Sequence, residues 1–211
     1  MKATSARQNI LKKIKQALDK PVPLPFEKSE LNQTFFKKNK TDPEILFAEN
    51  FSDLQGRFSF CNNEAELIQQ LQTLFTARNW NSVFLNESRL KETLIHQGLK
   101  IKTETTLPNC DVCITSCEYL VARTGSIMLS SIQSGRTASV YAPIHICIAY
   151  TNQLVFDIKD GFDLLKKKYS SGLPSLITLA SGPSRTADIE KTLVTGVHGP
   201  KEVFCFLVQS K

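Results

Sequence analysis

Ser181-Gly182-Pro183-Ser184-Arg185-Thr186-Ala187-Asp188 carries the most chemistry in the fewest residues, and Gly196-Val197-His198-Gly199-Pro200 follows closely. Hydroxyls, a guanidinium and glycine-hinged backbone side by side are the groups that hold a small anion. An apolar run, Leu176 to Ala180, leads in. Gly182-Pro183 breaks it, and Ser184, Arg185 and Thr186 stand where a helix over residues 185–194 is expected to begin. Free N–H groups at such a turn, at the positive end of a helix dipole, would add to the grip. The same residues also read as a capped helix start with a solvent-facing arginine. His198, between two glycines, is either an acid–base or ligand-contacting group or a structural residue at a helix end.

A second turn of the same chemistry precedes it. Thr124-Gly125-Ser126 is followed by Ser130-Ser131 and by Gly135-Arg136-Thr137. Small hydroxyl residues, glycines that permit close approach and an arginine suit an anionic ligand, and a turn with incidental serines would look the same. Two such turns in one α/β domain are expected to share a single cleft at the C-terminal ends of neighbouring strands. Cys110-x-x-Cys113-x-x-x-Cys117 fits neither a bacterial iron–sulfur run nor a paired zinc site, so no metal is expected here. The six cysteines lie mostly in apolar runs and are expected to be reduced and buried. His145 lies in such a run as well and reads as a core residue. No Gly-x-Gly-x-x-Gly, Walker loop, nucleophile elbow or zincin helix occurs.

The elements that must position these residues alternate between strand and helix. Helices are expected from Pro43 to Gly56, after Asn62-Asn63, over 87–97 and from Gly161 to about Tyr169. Strands are expected over 57–61, 82–85, 99–102, 111–115, 127–130, 154–156, 176–180 and 203–208, with a β-branched run over 139–150 divided at Pro143. Glu118 to Val121 reads as one turn of helix. The alternation argues for parallel βαβ units and a sheet covered on both faces. At 211 residues, 41% hydrophobic and 22% charged, the chain fits one such domain with an appendage. Residues 1–42 hold ten Lys or Arg against four Asp or Glu, so the net charge of +6 belongs to this arm and the body is neutral. The arm reads as an amphipathic helix (Ile10, Leu11, Ile14, Ala17, Leu18), a Pro21/Pro23/Pro25 connector and a Lys-rich segment. A neutral body gives no support for a nucleic-acid surface. No run is long enough for a membrane span and no hydrophobic leader opens the chain, so a cytoplasmic location is expected.

At Gly182-Pro183-Ser184-Arg185-Thr186-Ala187-Asp188-Ile189-Glu190, Gly196-Val197-His198-Gly199-Pro200 and Thr124-Gly125-Ser126-Ile127, the chain resembles the lactate utilization protein C family, which carries the LUD domain. The resemblance extends through Pro21-Val22-Pro23-Leu24-Pro25 and so covers nearly the whole chain. It implies a fold like that of the NagB/RpiA/CoA-transferase superfamily, a three-layer α/β/α sandwich around a mostly parallel sheet, here residues 43–211. It also implies a part in oxidising L-lactate to pyruvate beside iron–sulfur partner proteins, this chain being the component without a cluster. The residues that match the family pattern are Thr124, Gly125, Ser126, Ser184, Arg185, Thr186, Asp188, His198 and Gly199. They are the expected ligand contacts, with Arg136 added from its turn and His198 as the candidate proton carrier. Arg123 stands where the family usually has an acidic residue, which favours an anion and removes any carboxylate role there. Two other functions fit the same features. A stand-alone enzyme acting on a CoA thioester, sugar phosphate or folate would need a nucleophilic glutamate such as Glu118. A non-catalytic assembly module would use the basic arm to dock a partner or a second copy.

Overall fold

The computed structural model describes residues 6–18, 41–104, 106–189 and 192–210; the Pro-rich connector and the Lys-rich segment of the arm lie outside them. The chain divides into two compact units, residues 1–39 and 40–211. In the first, α1 (Ala6–Leu18) forms as the 3.6-residue spacing requires, with Ile10, Leu11, Ile14 and Leu18 all exposed.

The second unit is built on a six-stranded sheet in the order β1 (Arg57–Cys61), β12 (Glu202–Val208), β7 (Ile144–Tyr150), β4 (Val112–Thr115), β2 (Ser82–Phe84) and β3 (Lys102–Glu104). All five pairings are parallel. Such a sheet must be covered on both faces, and the alternation of β12 shows how. Phe204, Phe206 and Val208 pack with Leu67, Leu71 and Phe75 of α3 (Glu64–Arg78) and Leu90 and Leu94 of α4 (Ser88–His96). Val203, Cys205 and Leu207 face the other way, onto Phe47 and Phe51 of α2 (Pro43–Asp53). Helices therefore cover both faces, as expected.

Beyond α2 the second face also meets a smaller sheet. Its four strands run in the order β8 (Leu154–Val155), β5 (Tyr119–Val121), β6 (Ser126–Ser130) and β9 (Ile177–Ala180). Leu120, Ile127 and Leu129 face the main sheet, while Val121 and Met128 face Leu165 of α6 (Ile158–Lys168). Residues 119–121 are thus a strand and not the expected helical turn: one face of the segment meets each layer, a period of two. Residues 138–141 instead form one turn of helix, α5 (Ala138–Tyr141), ahead of β7.

The expected helix over 185–194 is a hairpin. β10 (Arg185–Ile189) pairs antiparallel with β11 (Thr192–Thr195) through Arg185–Thr195, Thr186–Val194 and Ile189–Thr192. The β-branched Thr186, Ile189, Thr192, Val194 and Thr195 favour the extended backbone, and they outweigh the hydroxyl cap. No helix begins at Arg185, so the positive dipole end expected at Ser184 is not there.

The last turn of α2 is seated by the two glycine corners. Gly125, at φ 57°, lies where a Cβ would come 2.5 Å from the Phe51 nitrogen. Gly182, at φ 81°, lies where a Cβ would come 2.3 Å from the Leu54 carbonyl oxygen. The Asn50 amide donates to the Ala122 and Arg123 carbonyls at 2.8 and 3.2 Å. This seat holds Phe47 and Phe51, each wholly buried and each contributing about 2–3 kcal/mol.

Gly125→Ala and Gly182→Ala are each expected to lower stability by about 2–4 kcal/mol, from strained φ and overpacking together, read in urea unfolding. His145 supplies a second test. It is wholly buried, its Nε2 lies 2.8 Å from Thr115 Oγ1, and its Nδ1 finds no partner among the described residues. Burial pulls its pKa from 6.5 down to about 4. The unfolded chain takes up the proton first, so stability is fully present above pH 6.5 and falls by roughly 3 kcal/mol as the pH drops to 4. His145→Gln should flatten that part of the profile; an unchanged slope would assign it elsewhere.

Candidate functional site

The residues singled out in the sequence fall into two places. The first is the seat of α2. Ser126 Oγ lies 2.7 Å from Ser181 Oγ, so the two turns meet. Arg185 Nη2 donates to the Leu54 carbonyl at 3.2 Å, a cation at the negative end of a helix. Ser184 ties in the following loop: its N–H donates to the Pro200 carbonyl, and its own carbonyl accepts from Gly196. Gly199 lies against it, with room for no side chain. Thr124 Oγ1 is buried and has no partner among the described residues. Thr186 is half-buried in the hairpin and His198 is exposed in the loop beyond it. The Asp188 side chain lies outside the described residues.

Arg123 does not face this corner's hydroxyls as a free cation. Its Nε and Nη2 donate to Asp157 at 2.8 and 3.2 Å. That hydrogen bond, with the guanidinium charge, holds the Asp157 carboxyl below the usual range. Asp157 in turn caps α6. The anion that Arg123 favours is one of the chain's own.

The second place lies at the opposite end of β5 and β6. Glu118 precedes β5, so it is separated from the Thr124 turn by the length of the strand. Its carboxylate is wholly buried. Oε1 accepts from Ser130 at 2.5 Å and from Tyr169 at 2.7 Å, and Oε2 accepts from Lys168 at 2.8 Å. Burial alone would pull the Lys168 ammonium down; the hydrogen bond and charge of Glu118 outweigh it and leave its pKa raised. Burial, then the hydrogen bond from its hydroxyl to Glu118, raises Tyr169.

Glu87 joins this group from the end of β2. Its carboxylate accepts from the Ser116 N–H at 2.8 Å and the Ser116 hydroxyl at 2.5 Å. Burial raises its pKa, the Glu118 charge adds to the rise, and the Ser116 bonds oppose both. β2 and β4 are neighbours whose onward connections diverge, to β3 on one side and ultimately to β7 on the other. Glu87 and Ser116 thus bridge a topological switch point at the carboxyl ends of parallel strands, where α/β sheets bind ligands.

Arg136 belongs to this end too, apart from Arg185. Its Nη2 donates to Ser175 Oγ at 2.9 Å, and Ser175 Oγ lies 3.1 Å from Ser131 Oγ, beside Ser130. Of the residues expected to share one cleft, the structure joins Thr124, Gly125, Ser126 and Arg185 around α2, places Ser184 and Gly199 beside them, and sets Arg136 at the far end of β6. Glu87, Ser116, Lys168 and Tyr169 were not signalled. They are single polar residues at element ends, brought together only by the sheet order.

Cys117, Cys147 and Cys205 sit together in the core, all as free thiols. The hydrogen bond that the Cys117 thiol donates to Cys147, together with burial, pushes Cys117 far up, and burial does the same to Cys147. They act as small apolar residues. Among the described residues, no three His, Cys, Asp or Glu side chains are placed to hold a metal ion, and no helix is long and apolar enough to cross a membrane.

Residues 46–208 match the family model described as the LUD domain. Lactate utilization protein C of Halalkalibacterium halodurans is 33% identical over 147 residues, 64% of each chain. The protein of the same name from Bacillus subtilis is 35% identical over 104 residues, 48% of this chain and 43% of that one. An uncharacterized protein of Neisseria meningitidis serogroup B is 36% identical over 96 residues, 45% of this chain and 41% of that one. The chain spans about half the length of these curated relatives. The crystal structure of a DUF162 family protein from Deinococcus radiodurans is 19% identical, with a TM-score of 0.62 over 82% of this chain and 99% of that one, a likeness of fold. The parallel sheet covered on both faces and the match over 46–208 have one meaning: the chain belongs to the LUD domain family.

Proposed function

We propose that the protein serves in the oxidation of L-lactate to pyruvate, as a component without a cluster of its own that works beside iron–sulfur partner proteins. The relatives named lactate utilization protein C support the role. The observation that carries the site is the bridge between Glu87 and Ser116 at the β2–β4 switch point, continued through Glu118 to Lys168 and Ser130. A small carboxylate or phosphate ligand enters beside it. Arg136, whose Nη2 is held by Ser175 Oγ at the same end of β6 as Ser130, takes the anionic end with its remaining N–H groups. Oxidation of lactate releases two electrons and two protons. The partner's clusters would take the two electrons, Glu87, a carboxylate with its pKa raised by burial, takes the hydroxyl proton, and the second proton leaves to solvent.

A covalent acyl-CoA reaction through Glu118 is the weaker reading, because both of its oxygens are already hydrogen-bonded in a buried site. Calorimetry with L-lactate, pyruvate and inorganic phosphate tests the site. Arg136→Ala should weaken binding by roughly 10- to 100-fold, the worth of a charge-assisted hydrogen bond. Unchanged affinity would remove Arg136 from it, and a thioester adduct at Glu118 would favour the rival. For the role, a strain lacking the gene should fail to grow on L-lactate and be rescued by the wild-type gene but not by Glu87→Ala. Normal growth of the deletion strain would overturn the proposal.

A further inference from the structure

A cleft of about 850 Å³ on the second unit lies apart from both of the places described above. It opens at the amino ends of β2 and β3, the opposite end of those strands from Glu87. Its walls are the last turns of α3, the Trp80-Asn81 link into β2 and the start of β3 at Lys100-Ile101-Lys102. Its lining combines an indole, the carboxamides of Gln72, Asn79 and Asn81, and two lysines, with no acidic side chain among the described residues.

The surroundings fix the sign of the field. Arg78 sits at the rim, its guanidinium 5.8 Å from the centroid of the Trp80 ring. Two nearby carboxylates are already matched. Asp111 accepts from the Asn81 and Ser82 N–H groups at 2.8 and 2.9 Å, and these bonds hold it below the usual range. Glu202 pairs with Arg57 at 2.6 Å and with Arg78 at 3.1 Å. Among the described residues the charges that line the cleft are therefore the two lysines, although the body as a whole is neutral. Trp80 is half-buried and held edge-on by Phe75 and Phe204, at centroid distances of 6.0 and 5.9 Å. A fixed aromatic wall of this kind suits a planar ring.

We infer that this cleft binds a nucleotide, its base against Trp80 and the carboxamides and its phosphate toward Lys100 and Lys102. A planar base with donors and acceptors on its edge uses the indole and the amides together. A phosphate uses the two lysines, and neither half of the ligand alone uses both. The site is independent of the lactate reading and stands or falls without it.

Trp80 is the chain's only tryptophan, so its emission reports on this cleft directly. In a titration of the full chain, AMP should quench the emission saturably. Adenosine should bind at least fivefold more weakly, and inorganic phosphate should compete without quenching. Lys100→Glu combined with Lys102→Glu should raise the AMP dissociation constant at least tenfold and flatten its salt dependence. The exposed Lys159→Glu, on α6, should leave it unchanged. The apo emission maximum of each variant reports that the wall is intact, and Asn79→Ala with Asn81→Ala gives a charge-neutral second variant that should weaken AMP and not phosphate. Absence of saturable quenching at millimolar AMP would overturn the inference. So would quenching insensitive to the double charge reversal.

Discussion

A carboxylate with no exposed surface must be neutralised where it lies, and Glu118 sets that requirement at the centre of the smaller layer. Removing such a charge from water costs several kcal/mol, recovered only when good partners meet both oxygens. The partners come from two elements: Ser130 ends β6, Lys168 ends α6 and Tyr169 follows it. The four-stranded sheet and α6 cannot shift relative to the end of β4 without exposing that charge. The same fixed charge reaches Glu87 and raises its pKa. A structural constraint thereby becomes a chemical one, since a carboxylate held up is a better proton acceptor near neutral pH than an ordinary one.

The seat of α2 shows the opposite relation between motif and chemistry. Hydroxyls, glycines and an arginine are gathered there as densely as in an anion site, yet each described contact is internal. Gly125 and Gly182 admit the helix backbone, and Arg185 meets the carbonyl end of its dipole. Ser126 and Ser181 join the two turns to each other. The groups that cradle an anion, N–H and hydroxyl donors on permissive backbone, also close a helix terminus against a sheet corner. Sequence alone does not separate the two uses.

Most of the fold was legible, because apolar periodicity is a direct record of burial. β12 and β7 read as buried strands, and α3 shows its inward face at Leu67, Ile68, Leu71 and Phe75. What failed was local preference read without partners. Ser184 to Thr186 look like a helix start until β11 offers Val194 and Thr195 as pairing partners. Glu118 to Val121 look like a helical turn until β6 and β8 lie on either side. The two glycine corners meet, but at the start of β6 and the end of its antiparallel neighbour β9, not at the C-terminal ends of two strands as expected. The Glu87 cluster was not, because it depends on β2 and β4 being neighbours although α4 and β3 separate them in the chain.

Net charge hid the remaining feature. Residues 43–211 carry equal numbers of acidic and basic side chains, which on composition argues against any charged surface. The sheet sorts them into different settings: Glu118 is paired with Lys168, with Glu87 and Arg136 at the same end, while Glu202 is shared by Arg57 and Arg78 at the amino ends, where Lys100 and Lys102 line a cleft. A parallel sheet gives its two ends different loops, so one neutral body can present a proton-accepting end and a lysine-lined one. Steering depends on local potential within about a Debye length, roughly 8 Å in physiological salt. The two ends therefore act on different ligands, and the total charge says nothing about either.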